Sequence, residues 1–265
     1  MRGEPVGELW FGAPDGNGQE PALLLKLLFT EQRLSVQVHP GDAFARSIGL
    51  PNGKTEAWYI LSARRGAQVA IGLKAALTRV ELRAAILDGS VAKLIRWRDV
   101  AAGEVIFVPA GTIHAIGPGL VIAEIQQRSD ATFRMFDYGR GRDLHIDNAV
   151  AVADAYPPGP QTPFARLSET RTVLLDNEFF VLERLALPPA SSHQLTARGE
   201  TWVMAISGRL ALDDLDLDMG EVAFISAHRT AMTSGATGAA VLVAYPGPGP
   251  ALDLVVAAPH LEVPA

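Results

Sequence analysis

Four side chains in three short segments have the types and local spacing of a metal-binding set. Gln37 and His39 lie two residues apart in Leu34-Ser35-Val36-Gln37-Val38-His39-Pro40, so on a strand they share one face. Glu56 closes Gly53-Lys54-Thr55-Glu56, and His114 closes the segment that runs from Gly103 through Pro109 and Gly111. Together they offer two imidazoles, one carboxylate and one amide oxygen, which suits zinc or a similar divalent first-row ion.

The elements around these residues read mostly as strands. Leu23–Phe29 is a nearly continuous apolar run, Leu34–His39 and Ala57–Leu61 alternate or run apolar, and Gln68–Leu73 is another short strand. The period then changes. Thr78 and Glu81 form a capping box, and Leu82, Ile86 and Leu87 recur at helical spacing, so one or two short helices are expected from Thr78 to about Arg98. Strands return at Glu104–Pro109, Leu120–Gln127 and Thr132–Tyr138. Tyr156–Pro160 reads as a linker. Beyond it, Thr172–Leu175, Phe179–Leu187, Thr201–Ile206, Arg209–Leu212, Val222–Ile225 and Ala239–Tyr245 are further short strands. The Pro/Gly/Ala-rich tail after Pro246 is expected to be partly disordered.

The two halves echo each other. Gly103-Glu104-Val105-Ile106-Phe107-Val108-Pro109-Ala110 matches Gly220-Glu221-Val222-Ala223-Phe224-Ile225-Ser226-Ala227. Two related β-barrels are expected, 1–155 carrying the complete site and a small helical insertion near 78–98, and 161–250 a degenerate copy.

Composition narrows the function classes. Hydrophobic residues make up 48% of the 265 positions, enough for a sizeable core, and the 25 Gly and 18 Pro favour strands joined by turns over a helical bundle. Charged residues at 20% and a net charge of −6 argue against a nucleic-acid surface, which needs a clustered basic face. No apolar run reaches the ~18 residues of a membrane span, and no apolar leader segment follows Met1-Arg2-Gly3-Glu4-Pro5. The absence of cysteine rules out disulfides and thiolate ligands and fits a cytoplasmic protein.

The spacing Gly103, Pro109, Gly111, His114 resembles the second signature motif of the cupin barrels. Physically, Pro109 ends a strand's ladder pairing and Gly111 permits the tight turn that delivers His114 to a barrel mouth. More specifically, four ordered stretches resemble the type I mannose-6-phosphate isomerases: Leu34–Pro40, Gly53–Tyr59, Pro109–Ala115 and Glu124–Tyr138. Gly7-Glu8-Leu9-Trp10 and the strand around Lys26 resemble that family too. The resemblance implies a mainly β, tandem cupin fold of jelly-roll barrels, with one Zn2+ per chain held by Gln37, His39, Glu56 and His114. It implies an active-site arginine at Arg134, a lysine at Lys54 and a phosphate-proximal serine at Ser35. The implied reaction is reversible conversion of mannose 6-phosphate to fructose 6-phosphate.

The chemistry of the residues agrees with that expectation. An aldose–ketose isomerase moves a proton between adjacent carbons and stabilises an enediol(ate), which a zinc ion assists as a Lewis acid. A sugar phosphate bound by an acidic chain needs a local basic patch, and Lys54, Arg134, Arg140 and Arg142 can supply one. Two roles are open to Lys54: proton-transferring base, or donor to phosphate and hydroxyl oxygens. Two other functions use the same residues: a metal-binding cupin that binds or senses a sugar phosphate without turnover, and an isomerase or epimerase of another sugar.

Overall fold

The computed structural model describes residues 6–12, 20–159 and 164–257. The fold is mainly β, and the chain divides into two compact units, Met1–Gly12 with Leu24–Gln161 and Ala13–Leu23 with Thr162–Ala265.

In the first unit the elements run β1 (Glu8–Phe11), β2 (Leu23–Thr30), β3 (Val36–Val38), α1 (Asp42–Ser47), β4 (Glu56–Ala63), β5 (Gln68–Leu73), α2 (Arg79–Leu87) and α3 (Val91–Leu94). They continue as β6 (Ile95–Asp99), β7 (Val105–Val108), β8 (His114–Ile116), β9 (Leu120–Gln127), β10 (Phe133–Phe136) and α4 (Ile146–Val152). Two five-stranded sheets result, in the orders β1-β2-β9-β4-β7 and β10-β3-β8-β5-β6. Leu28, Trp58, Ile60, Ile106 and Ile122 from one sheet and Val69, Ile71 and Ile116 from the other share one buried cluster, so the sheets pack face to face around it. A second cluster lies between the β3–β8–β5 sheet and α2 through Val38, Ala70, Ile113, Leu82 and Ile86.

The helical insertion is shorter than the sequence suggests. Thr78 caps α2 as expected: its hydroxyl accepts from the Glu81 N–H, and the Glu81 carboxylate accepts from the Thr78 N–H. The helical spacing ends at Leu94, however, and Ile95–Asp99 is a strand paired with β5. Ile95 and Trp97 point inward while Arg96 and Arg98 are exposed, a period of two that strand pairing selects over helix. Two short helices, α1 and α4, go unpredicted; neither exceeds seven residues, too short to leave a helical period in the sequence. The expected linker packs back on the unit, with the Leu73 N–H donating to Tyr156 O; its last residue, Pro160, lies outside the described residues.

The second unit contains β11 (Ala165–Arg166), β12 (Arg171–Asp176), β13 (Phe180–Leu187), β14 (Ser192–Thr196) and β15 (Glu200–Leu212). After these come β16 (Leu215–Leu217), β17 (Val222–Ser226), β18 (Arg229–Pro246) and β19 (Val255–Ala257). They form one nine-stranded sheet over a core that includes Val181, Leu185, Val203, Leu210, Val241 and Val243. Ser207-Gly208, expected to break a strand in two, is crossed by β15 with bulges on either side. In the expected tail, Val255–Ala257 is strand, and residues past Ala257 lie outside the described ones. The internal echo extends to the backbone: Gly103 and Gly220 have φ of 89° and 92° and each leads two residues later into its strand. Glu56-Ala57-Trp58 also returns as Glu200-Thr201-Trp202, with the indole N–H donating to the carboxylate in both, at 3.0 and 2.8 Å.

An ion pair sits inside the second unit. Arg171 donates to both oxygens of Glu183, at 3.0 and 2.8 Å, and Tyr245 donates its hydroxyl to the same carboxylate at 2.6 Å. All three residues are buried. Truncating one partner of such a pair strands the other charge, at a cost of about 3–5 kcal/mol. Glu183→Ala is therefore expected to lower the urea-unfolding midpoint by an amount equivalent to about 3–5 kcal/mol; an unchanged midpoint would mean that Arg171 finds water instead.

Candidate metal centre

Strand register brings the sequence-predicted ligands together. In one sheet Arg134 of β10 pairs with Gln37 of β3, and Gln37 pairs with His114 of β8. Directly opposed residues share a face, so Arg134, Gln37 and His114 form a row. In the other sheet Glu56 of β4 lies opposite Gln126 of β9, and Trp58 lies opposite Glu124. His39 follows the end of β3 and is buried with Glu56 and His114. The His39, Glu56 and His114 donor atoms all lie within 4.8 Å of one another, and this is the one such group among the described residues.

Hydrogen bonding fixes how the two imidazoles face the carboxylate. His39 Nδ1 lies 2.8 Å from Ala131 O, and His114 Nδ1 lies 2.9 Å from Thr112 O. A carbonyl only accepts, so both Nδ1 atoms carry the proton. In the neutral rings each Nε2 then presents a lone pair, and both point at Glu56: His39 Nε2 is 3.5 Å from Oε2 and His114 Nε2 is 3.6 Å from Oε1. Burial and the neighbouring Lys54 push His39 down, and burial together with His39 pushes His114 down to about 3, so both rings are neutral at neutral pH.

Two nitrogen lone pairs facing a carboxylate call for a cation between them. His39 Nε2 is buried and has no hydrogen-bond partner, which is the condition that metal coordination relieves. Gln37 stands beside them: its amide nitrogen lies 3.3 Å from His114 Nε2, and its Oε1 accepts from the Ser35 hydroxyl at 3.3 Å. Turning the amide about its axis would present the oxygen to the centre and keep the Ser35 contact. The residues therefore fit a divalent ion of the zinc type.

A buried row of alternating charge supports the centre. Lys54 Nζ is 3.0 Å from Glu56 Oε2 and 3.9 Å from Glu124 Oε1, and Lys26 Nζ is 3.5 Å from Glu124 Oε1. Burial by itself would raise the Glu56 carboxyl, but Lys54 holds it well below the usual carboxylate range. Burial by itself would lower Lys54, and Glu56 with Glu124 more than reverse this. The inner pair is thus firmly ionised. The outer pair leans the other way: burial lowers Lys26, and burial with Glu56 raises Glu124. Trp10, half exposed, roofs the outer end with its ring centroid 3.9 Å from Lys26 Nζ.

Loops tie these strands at fixed distances. Asp42 accepts from the Gly53 N–H and from the Gln127 amide, and Gln127 in turn accepts from the Thr55 N–H. Thr55 Oγ1 accepts from the Ala110 N–H, and the Gly111 N–H donates to His39 O. Gly111 has φ +88°, and a Cβ there would meet the Asp154 carboxylate at 2.6 Å, so the turn before His114 needs glycine. At Gly53 a Cβ would meet Pro40 O at 2.6 Å, which explains the glycine before Lys54.

The basic residues divide. Arg134 stands in the ligand row and donates to Asp143 O at 2.9 Å, while its backbone N–H is held by His145. Its Nε is buried without a partner. Arg140 and Arg142 gather instead on the buried Asp137, which accepts from them at 2.8 Å and at 2.8 and 2.5 Å. Ser35 is buried behind Gln37 rather than open to solvent. Lys26, Glu124 and Gln126 received no role from sequence reasoning. The one local signal was a lysine inside the otherwise apolar Leu23–Phe29 run.

Comparison with known proteins follows this geometry. No protein-family model matches the chain. Over 210 residues it is 39% identical to the mannose-6-phosphate isomerase of Streptococcus mutans, covering 74% of this chain and 66% of that one. Over 166 residues it is 38% identical to the mannose-6-phosphate isomerase ManA of Bacillus subtilis, covering 58% and 52%. The chain thus spans from about half to just under two thirds of the length of these relatives. A crystal structure of the Bacillus subtilis mannose 6-phosphate isomerase superposes with a TM-score of 0.76 at 27% identity, over 87% of this chain and 77% of that one.

Two outcomes test the geometry. His114→Ala is expected to weaken divalent-metal binding by more than the about 10–100-fold typical of losing a supporting hydrogen bond; metal content measured on purified protein checks this, and retained metal would relocate the centre. The Arg142 hydrogen bonds, with Arg140, hold Asp137 down at about 2 against an ordinary 3.8. A carboxyl lower in the folded state stabilises above its unfolded value and loses that contribution as pH falls. The gap in urea midpoint between the wild type and Asp137→Asn should therefore close as pH is lowered from about 4 to about 2. A pH-independent gap would mean that the arginines do not depend on this charge.

Proposed function

The chain belongs to the mannose-6-phosphate isomerase family, and from that premise we propose that it interconverts mannose 6-phosphate and fructose 6-phosphate with one zinc ion per chain. The observation that carries the proposal is the buried pair of imidazole lone pairs aimed at Glu56, backed by Lys54. Gln37, His39, Glu56 and His114 would hold the ion, a donor set of two nitrogens, a carboxylate and an amide oxygen that suits zinc. When bound, the ion would supply Lewis-acid polarisation of the sugar's carbonyl oxygen.

The protein's own groups divide the remaining work. Lys54, held charged by Glu56, suits stabilisation of negative charge developing on the sugar oxygens more than removal of a proton. The Lys26–Glu124 pair has one proton to share between a lowered amine and a raised carboxyl, which makes Glu124 the better candidate for proton transfer. Arg134, in the row with Gln37 and His114, is read as a donor to a sugar hydroxyl or phosphate oxygen through its planar fork. Arg140 and Arg142, partly exposed around Asp137, are read as the outer basic rim toward the phosphate. Ser35 then acts through Gln37. A phosphorylated sugar as substrate fits a cytoplasmic setting. The second unit is read as a degenerate barrel, supported by its Glu200–Trp202 repeat of Glu56–Trp58.

Purified protein loaded with zinc is expected to convert mannose 6-phosphate to fructose 6-phosphate in a coupled assay. Arg134→Ala should reduce turnover by about a hundredfold or more, the range seen when one transition-state donor is removed, with metal content unchanged. Full metal loading without turnover in the wild type would favour a sugar-phosphate binder over an enzyme.

A further inference from the structure

Gln126 is completely buried, and its amide is held in one orientation. The nitrogen donates to Gln127 O at 3.1 Å and to Ser129 O. Both partners are carbonyls, so the nitrogen must face them and Oε1 must face away. That oxygen has no hydrogen-bond partner among the described residues, in company with His39 Nε2. Gln126 lies opposite Glu56 and alternates with Glu124 on the strand face that carries the charged row. The loop whose Ser129 carbonyl fixes this amide also fixes His39 through Ala131 O. One short segment therefore orients both a metal-ligand candidate and an unsatisfied neutral acceptor.

A buried acceptor without a donor is costly unless a ligand supplies one. Lys54 and Arg134 only donate, and Glu124, paired with Lys26 and Lys54, is assigned to proton transfer above. Three protein donors meet at the centre with the Gln37 amide beside them, so a further ligand from Gln126 would take the position a substrate needs. We propose that Gln126 is a specificity-determining residue whose amide oxygen accepts a hydrogen bond from one hydroxyl of the bound sugar. This builds on the isomerase assignment above: the substrate class is the same, and the new element is a neutral acceptor that recognises a protonated sugar oxygen. A site that offers such an acceptor rejects an analogue lacking the hydroxyl, because the oxygen is then left unpaired.

The test is calorimetric titration of metal-loaded wild type, Gln126→Met and Gln126→Glu with mannose 6-phosphate and its 3-deoxy and 4-deoxy analogues, beside turnover of the parent sugar. Gln126→Met is expected to bind the parent about 10–100-fold more weakly, one lost buried hydrogen bond converted to affinity, with metal content unchanged and a lower melting temperature from the two hydrogen bonds its nitrogen gives up. Gln126→Glu, held protonated by burial opposite Glu56, keeps an acceptor oxygen and one donor to the loop carbonyls and should recover part of that loss. For one deoxy analogue, wild type and Gln126→Met should bind alike. Equal binding of the parent by wild type and Gln126→Met would overturn the proposal. So would equal losses in the two variants, which would assign the effect to the amide nitrogen, or metal loss in Gln126→Met, which would make the oxygen a ligand. If Gln126→Met does not fold, Gln126→Leu replaces it. Wild type that binds the sugar phosphate without turning it over would sink the isomerase assignment alone, and the binding comparison would still decide Gln126; wild type that does not bind it would sink both.

Discussion

A fully buried carboxylate faced by two imidazole lone pairs is the constraint around which the first unit is organised. Glu56 cannot be left ionised and bare inside a barrel, since an isolated buried charge costs far more than any single hydrogen bond returns. The fold answers in two ways. Lys54 supplies a cation at 3.0 Å on one side, and on the other the two Nε2 atoms and the Gln37 amide leave a place for a metal ion. Both imidazoles are pinned through Nδ1 to backbone carbonyls, so neither can turn away to relieve the crowding of lone pairs.

Holding that arrangement requires precision in segments far apart in the chain. Register does most of it: Arg134, Gln37 and His114 are consecutive across three strands, and Glu56 stands opposite Gln126 in the facing sheet. Asp42, Thr55 and Gln127 then tie the loops that carry Gly53, Ala110 and His39 into one hydrogen-bonded set. A shift of one residue in any of these strands would turn a donor to the wrong face of its sheet. The second unit meets a related demand differently. Its buried carboxylate, Glu183, is matched by Arg171 and Tyr245 within the protein.

The local part of this was legible in the sequence. Two-residue spacing put Gln37 and His39 on one face, Gly111 marked the turn into His114, and Thr78 with Glu81 marked the start of α2. The long-range part was not. Lys26, Glu124 and Gln126 join the site only because β2, β9 and β4 are neighbours in a sheet, and nothing in their own segments records which strands will pair. Nor does the sequence show that Arg140 and Arg142 both donate to Asp137, three and five residues before them. The helical reading of Thr78 to about Arg98 runs into the strand that starts at Ile95 because an apolar residue at every second position and one at every third or fourth overlap in so short a stretch.

The central claim is that one divalent ion lies among His39, Glu56 and His114. Anomalous diffraction collected at the zinc absorption edge from crystals of the zinc-loaded protein tests it most directly. A single peak per chain is expected, about 2.0–2.2 Å from His39 Nε2, His114 Nε2 and a Glu56 oxygen. A peak on other residues, or no peak in protein that binds zinc in solution, would contradict the claim.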